Sequence, residues 1–236
     1  MNSQIVQARQ TYHYSNKCEQ CCACGRHQLT HEETTALLAL RTAASGAYDG
    51  SKATHVQALQ KLGSLLWPEA EPGLRSERWK EVGFQSADPS TDFRGAGFLG
   101  LNQMVYFAEQ HPSQLAAMLS EEYPWAITSL NATYAVLVLL QLASGAGMPQ
   151  AQRAHPRAVK AFCGLEPSLA VLDAAYALAL LKTHEAWQAM KGQPGVSIMQ
   201  LQDCVQAGAR FVERVLAQAP QDLDEFKWLG LQQLYM

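Results

Sequence analysis

Apolar residues return every three or four positions along almost the whole chain after residue 29, as expected for helices that bury one face. Clusters of Pro and Gly separate these segments, and Asp49-Gly50 fits a loop between two helices rather than a hairpin turn. A chain of 236 residues, of which 48% are apolar, can bury the core of one domain. We therefore predict an all-α fold, a single multi-helix domain of about eight to ten helices at residues 30–236.

Several residues predict where individual helices begin and end. Thr30 followed by Glu33 is typical of a capping box, and Pro112 fits the first turn of a helix. Pro167 is expected to open a long helix, and Ser197 to cap the one after it. The apolar stretch at 125–143 carries several hydroxyl and amide side chains, which favours a buried helix over a membrane span.

Charge and termini narrow the functional classes. The formal net charge of −3 gives no reason to expect nucleic-acid binding. Residues 1–20 lack the apolar stretch and small-residue cleavage site of a secretory signal, and six cysteines without secretory context fit a reducing compartment. We therefore expect a cytoplasmic protein.

The segment 83–97, GFQSADPSTDFRGAG, breaks every regular period, and we interpret it as a long functional loop. Thr91 and Asp92 are expected to bond to the backbone amides that open the next helix. Gly95 and Gly97 remove side chains beside Arg94, so a partner could approach closely there. Trp79, Phe84 and Phe93 bring aromatic rings to the same region.

Each of these residues also has a structural interpretation. Arg94 could brace the loop by pairing with Asp88 or Asp92, and an arginine in a functional position needs such a holder as well. Asp88, Thr91 and Asp92 fit turn and cap positions better than acid or base roles. The three aromatic side chains fit the core better than a partner surface.

The run RWKEVGFQSADPSTDFRGAGFLGLNQMVYFAEQHP (78–112) resembles the signature of the ELMO domain, above all that of the ELMO-domain-containing GTPase-activating proteins. The matching residues are Trp79, Gly83, Phe84, Gln85, Asp88, Pro89, Thr91, Asp92, Phe93, Arg94, Gly95 and Gly97. The segment YPWAITSLNAT (123–133) is similar to a second family segment, and the layout as a whole extends over about residues 30–220. The sequence departs from the pattern at Ser86-Ala87, where family members often carry Gly.

The resemblance implies an activator of small GTPases of the ARF or ARF-like family, with Arg94 as a catalytic arginine finger supplied in trans. The other matching residues would bind the partner or position the loop, and Gln85 could orient the attacking water. No cofactor is expected on this chain, since it lacks the G-x-x-x-x-G-K-[ST] loop and the GTPase carries GTP and Mg²⁺. The alternative is a non-catalytic ELMO-type adaptor that binds small GTPases or their exchange factors.

The head of the chain, KCEQCCACGRHQLTH (17–31), has no counterpart in that family pattern. Cys18, Cys21, Cys24 and His27 are weak candidates for zinc ligands, because no second pair of ligands follows downstream. Cys21, Cys22 and Cys24 are candidates for S-acylation, which would add a peripheral association with internal membranes. An unmodified flexible arm at 1–29 is the third interpretation.

Overall fold

The computed structural model describes residues 28–121, 123–143 and 154–235, and these residues form nine α-helices and three short 3₁₀ helices. The α-helices are α1 His31–Ala44, α2 Ala53–Leu66, α3 Gly97–Gln110, α4 Pro112–Leu119, α5 Trp125–Leu139, α6 Pro156–Gly164, α7 Leu169–Met190, α8 Leu201–Leu216 and α9 Leu223–Tyr235. The 3₁₀ helices are Glu77–Val82, Pro89–Arg94 and Ile198–Gln200. The predicted all-α fold and the number of helices are confirmed.

Side-chain caps account for several helix ends. The Thr30 hydroxyl accepts a hydrogen bond from the Glu33 amide at 3.2 Å, and the Glu33 carboxylate accepts one from the Thr30 amide at 2.7 Å. This confirms the predicted capping box at the start of α1. Ser197 caps as predicted, but it opens the 3₁₀ helix Ile198–Gln200 that leads into α8.

Two helix boundaries differ from the prediction. Helix α7 begins at Leu169, because the Ser168 side chain rather than Pro167 caps its first turn. Helix α5 ends at Leu139 instead of residue 143, because Gln141 takes a left-handed φ of 61° that an α-helix cannot continue through.

The core has two parts that meet along α5 and α7. One part is built from α1, α6, α8 and α9, and the other from α2, α3, α4 and the first two 3₁₀ helices. Helix α5 is buried on almost every side, which confirms it as a core helix. Within the described residues, no helix combines the length and apolar character needed to cross a membrane.

The most extensive contact between two helices lies between α7 and α8, where Gly208 faces α7. A Cβ added to Gly208 would lie 2.3 Å from both the Ala179 carbonyl oxygen and the Thr183 hydroxyl. The two polar atoms are already joined by a 2.7 Å hydrogen bond. The two backbones can therefore approach this closely only because position 208 has no side chain.

A polar network crosses the core between α3, α5 and α7. Gln103 donates a hydrogen bond to the Asp173 carboxylate at 3.3 Å and accepts one from the Thr133 hydroxyl at 2.8 Å. Beside them, the Ser129 and Tyr176 hydroxyls share a hydrogen bond. Burial raises the pKa of the Asp173 carboxyl to about 6, although the bond from Gln103 acts in the opposite direction.

Asp173→Asn is expected to stabilise the protein at neutral pH. As the pH rises from about 4 to 6, the unfolded chain gives up this proton before the folded chain does, so folding stability falls. Asparagine keeps the acceptor for Gln103 but cannot ionise, and we expect a gain of about 1–2 kcal/mol near pH 7.5 after allowing for solvent around this partly buried group. Urea denaturation of both proteins would measure it; an equal difference near pH 4 would contradict the proposed cause.

Candidate functional site

The segment 83–97, called here the arginine corner, contains the 3₁₀ helix Pro89–Arg94, where the sequence had indicated an irregular loop. Asp88 caps this helix: its Oδ1 accepts hydrogen bonds from the Ser90 amide at 3.1 Å and the Ser90 hydroxyl at 2.5 Å. Pro89 occupies the first turn and is buried. The cap and the fixed φ of proline explain why a turn-rich sequence forms a helix here.

A charged residue outside the corner, Arg75, also contacts the capping residue Asp88. The guanidinium of Arg75 lies 2.8 Å from Asp88 Oδ2, although the Arg75 side chain is 80% exposed. The hydrogen bonds from Ser90, and after them the Arg75 charge, keep the pKa of Asp88 below its usual value. An ion pair this exposed adds little stability, so Ser90 is the main partner of Asp88.

Asp92 and Thr91 bond inside the corner rather than to the next helix. Asp92 Oδ2 accepts a 2.7 Å hydrogen bond from the backbone amide of Gln85, and the Thr91 hydroxyl donates one of 2.9 Å to the Asp88 carbonyl. Helix α3 follows Ala96 without any side-chain cap. The expectation that they cap α3 is wrong, because the 3₁₀ helix turns these side chains back toward the start of the corner.

The aromatic rings anchor the corner to the helical body. Trp79, Phe84 and Phe93 are buried. Edge-to-face contacts join Phe84 to both neighbours, with centroid distances of 5.4 Å to Trp79 and 6.0 Å to Phe93. Tyr48 packs on Phe93 at 5.1 Å, and the Trp79 indole donates to the Gly73 carbonyl at 3.0 Å. Such contacts fix the rings in the part of the corner that precedes Arg94.

The three glycines of the corner have different roles. Gly83 has a φ of 97°, and a Cβ there would lie 2.7 Å from the Pro124 backbone. Gly97 has a φ of 62°, and its Cβ would lie 2.4 Å from the Gly46 carbonyl oxygen. The close approach at Gly97 thus comes from this chain's own backbone and not from a partner. Only Gly95 faces open space, with an ordinary φ of −85°.

Arg94 ends the 3₁₀ helix on the exposed side of the corner. Its Nε donates a 2.8 Å hydrogen bond to the Thr91 carbonyl oxygen. Within the described part of the chain it forms no ion pair with Asp88 or Asp92, so the alternative in which one of these carboxylates braces Arg94 is not observed. Asp88 is engaged by Ser90 and Arg75, and Asp92 by a backbone amide. Among the described residues, the Thr91 carbonyl is the one hydrogen-bond partner of the Arg94 side chain.

Sequence reasoning missed two supports of the corner and undervalued a third. Arg75 and Tyr48 lie outside the predicted loop and come close only through the fold. Ser86, noted as a departure from the family pattern, accepts a 3.1 Å bond from the Asp88 amide and donates one to the Asp88 carbonyl. A Ser two residues before Asp-Pro could have indicated this turn.

The candidate zinc and acylation residues Cys18, Cys21, Cys22, Cys24 and His27 lie outside the described residues. Among the residues that the structure does describe, no three His, Cys, Asp or Glu side chains are grouped to hold a metal ion. Cys163 and Cys204 are buried as free thiols.

Comparisons with known proteins assign the chain to a family. The sequence profile of the ELMO/CED-12 family matches residues 38–204, which include the whole arginine corner, and the chain belongs to this family. It is similar to ELMO domain-containing protein B of Dictyostelium discoideum, with 39% identity over 99 residues, covering 39% of this chain and 35% of that protein. ELMO domain-containing protein 2 of Mus musculus is 42% identical over 101 residues, covering 40% of this chain and 34% of that protein.

The matched region is short relative to these relatives. The chain spans about a third of their length, and it covers 23% of ELMO domain-containing protein 1 of Homo sapiens, at 43% identity over 76 residues. No solved structure matches the chain at a significant level.

Proposed function

We propose that this protein is a GTPase-activating protein that inserts Arg94 into the nucleotide site of a small GTPase. The observation that carries the proposal is an exposed guanidinium, held by one carbonyl, on a short helix with an anchored base. Neither carboxylate of the corner neutralises the charge of Arg94, since both have other partners. The positive charge is therefore available to an anionic group on another molecule.

The chemistry of GTP hydrolysis fits such a group. When water attacks the γ-phosphorus, negative charge spreads over the γ-oxygens and the bridging oxygen. A guanidinium supplies several N–H donors in a fixed plane, and these are strongest where bulk water is excluded. A trans-acting arginine contributes about 10³–10⁵ in rate, or roughly 4–7 kcal/mol of barrier. The partner carries GTP, Mg²⁺ and the residue that positions water.

The anchoring of the corner supports a catalytic arginine over a merely exposed one. Phe93, next to Arg94, is 1% exposed and packs on Phe84 and Tyr48. Asp92 ties the same turn to Gln85. The backbone from which the guanidinium extends is thus held before any partner binds, so less conformational entropy is lost on docking.

We further propose an ARF or ARF-like GTPase as the partner. This choice rests on the similarity of 78–112 to the ELMO-domain-containing GTPase-activating proteins, together with membership of the ELMO/CED-12 family. We retain the proposed division of the chain into an arm at 1–29 and an ELMO domain at 30–236. Acylation of the head would bring the domain to membrane-bound GTPases.

A single-turnover assay tests the function directly. The full chain is added to a panel of GTP-loaded small GTPases that includes ARF, ARF-like and Rac-like members, and phosphate release is followed over time. We expect acceleration of at least one ARF or ARF-like member and none of the Rac-like members. Binding without acceleration of any member would refute the activator and favour the adaptor.

A further inference from the structure

We propose that Gly95 is the point at which the partner GTPase comes closest to this protein, and that its missing side chain sets the fit around Arg94. The inference rests on the proposed function and adds a steric requirement to it. The docking surface would consist of Arg94 and Gly95 with the exposed residues Gln85 and Thr91 beside them. Its partner is a GTP-loaded protein whose backbone passes over the bare Cα of residue 95.

The fold itself gives no reason for glycine at this position. The φ and ψ of Gly95 are −85° and −39°, a right-handed helical conformation that every residue adopts readily. A Cβ built there meets no atom within 4 Å. Alanine would suit the same backbone and would restrict the unfolded chain more, so glycine is slightly destabilising here.

The neighbouring glycines provide the contrast. At Gly83 and Gly97 the φ is positive, and a Cβ would meet the backbone of Pro124 or Gly46. Those two residues are explained by packing inside the chain. Gly95 lies between Arg94 and Ala96 without any such contact, so packing inside the chain does not explain it, and its distinguishing feature is its place next to Arg94.

The position relative to Arg94 indicates what a side chain would do. Residue 95 directly follows the arginine at the end of the 3₁₀ helix, and both residues are exposed. The guanidinium is held close to its own turn by the bond to the Thr91 carbonyl. The partner must therefore come close to the turn to be reached, and added atoms at 95 would keep it away.

The test compares substitutions at Gly95 with a matched control. Gly164, at the end of α6, is also exposed, has open space around its Cα and carries no positive φ, and α6 packs on α8 and α1, away from the corner. Gly95→Ala, Gly95→Leu and Gly164→Leu are each assayed for thermal unfolding and for single-turnover hydrolysis with the GTPase that responds to the wild-type protein.

We expect Gly95→Leu to fold with an unchanged or higher Tm and to lose stimulation by about 10²-fold, because a displacement of about 1 Å is enough for such a loss. The Gly95→Ala protein should stimulate hydrolysis several-fold less than the wild type, and the Gly164→Leu protein should stimulate it as well as the wild type does. In a direct binding measurement, we expect Gly95→Leu to bind the GTP-loaded GTPase most weakly, Gly95→Ala to bind it more tightly, and Gly164→Leu to bind it like the wild type.

Full stimulation by both Gly95→Ala and Gly95→Leu would overturn this inference while leaving the proposed function in place. If the wild-type protein stimulates no GTPase, both are refuted. If Gly95→Leu fails to fold, Gly95→Ala decides: wild-type stimulation by that variant would overturn the inference.

Discussion

Arg94→Lys is expected to abolish stimulated GTP hydrolysis and to leave the fold intact. Within the described residues this side chain forms one hydrogen bond, from Nε to the Thr91 carbonyl at 2.8 Å. Lysine keeps the positive charge and much of the length. It lacks the planar fork of donors that can contact several phosphate oxygens at once.

The expected loss is about 10³-fold or more in the stimulated rate, close to the full contribution of an arginine supplied in trans. Single-turnover phosphate release measures this loss. The free energy of unfolding, followed by thermal denaturation, should change by no more than about 0.5 kcal/mol, as is usual for an exposed side chain. Arg157→Lys is the matched control, since Arg157 is also exposed but belongs to α6, away from the corner.

Two results would contradict the assignment. Wild-type stimulation by Arg94→Lys would show that charge alone is sufficient or that another residue acts as the finger. A large fall in Tm with a matching fall in activity would show that Arg94 holds the corner together through its bond to the Thr91 carbonyl.

Gly208→Ala should cause a large loss of stability. Its Cβ would lie 2.3 Å from the Ala179 carbonyl oxygen and the Thr183 hydroxyl, so α7 and α8 must separate at this point. We expect the free energy of unfolding to fall by about 3 kcal/mol, which is in the upper part of the usual range for overpacking. For a chain of this size that corresponds to a fall in Tm of about 6–12 °C.

Urea and thermal denaturation would measure this effect, with Gly164→Ala as the control. Gly164 has nothing within 4 Å of a built Cβ, so its substitution should leave Tm unchanged or raise it slightly. A Gly208→Ala protein as stable as the wild type would show that the two helices can move apart at no energetic cost.

The helices were predictable because their signals are local. The capping box needs only Thr30 and Glu33, and the apolar period of α7 lies within one stretch of chain. The errors arose at helix ends. Helix α5 was predicted too long because apolar residues continue beyond Leu139, and sequence alone does not show that Gln141 adopts a left-handed conformation.

The candidate site was predictable as a segment but not as a geometry. The density of turn formers around Arg94 marked 83–97, and the family match includes it. The bond from the Gln85 amide to Asp92 could not be foreseen, because it depends on the short 3₁₀ helix between them. Nor could the distinction between Gly95 and Gly97, since the neighbour of Gly97 is Gly46, remote in sequence.

The contact of Gly46 with the arginine corner affects how the protein can be engineered. The Phe98 amide donates a 2.8 Å hydrogen bond to the Gly46 carbonyl, and Tyr48 packs on Phe93. The connector between α1 and α2 therefore helps to hold the arginine corner in place. A tag or graft placed in that connector would displace Arg94 even though it is separated from it by all of α2. The exposed turn at 191–195, between α7 and α8, is the better place for a fluorophore or an affinity label.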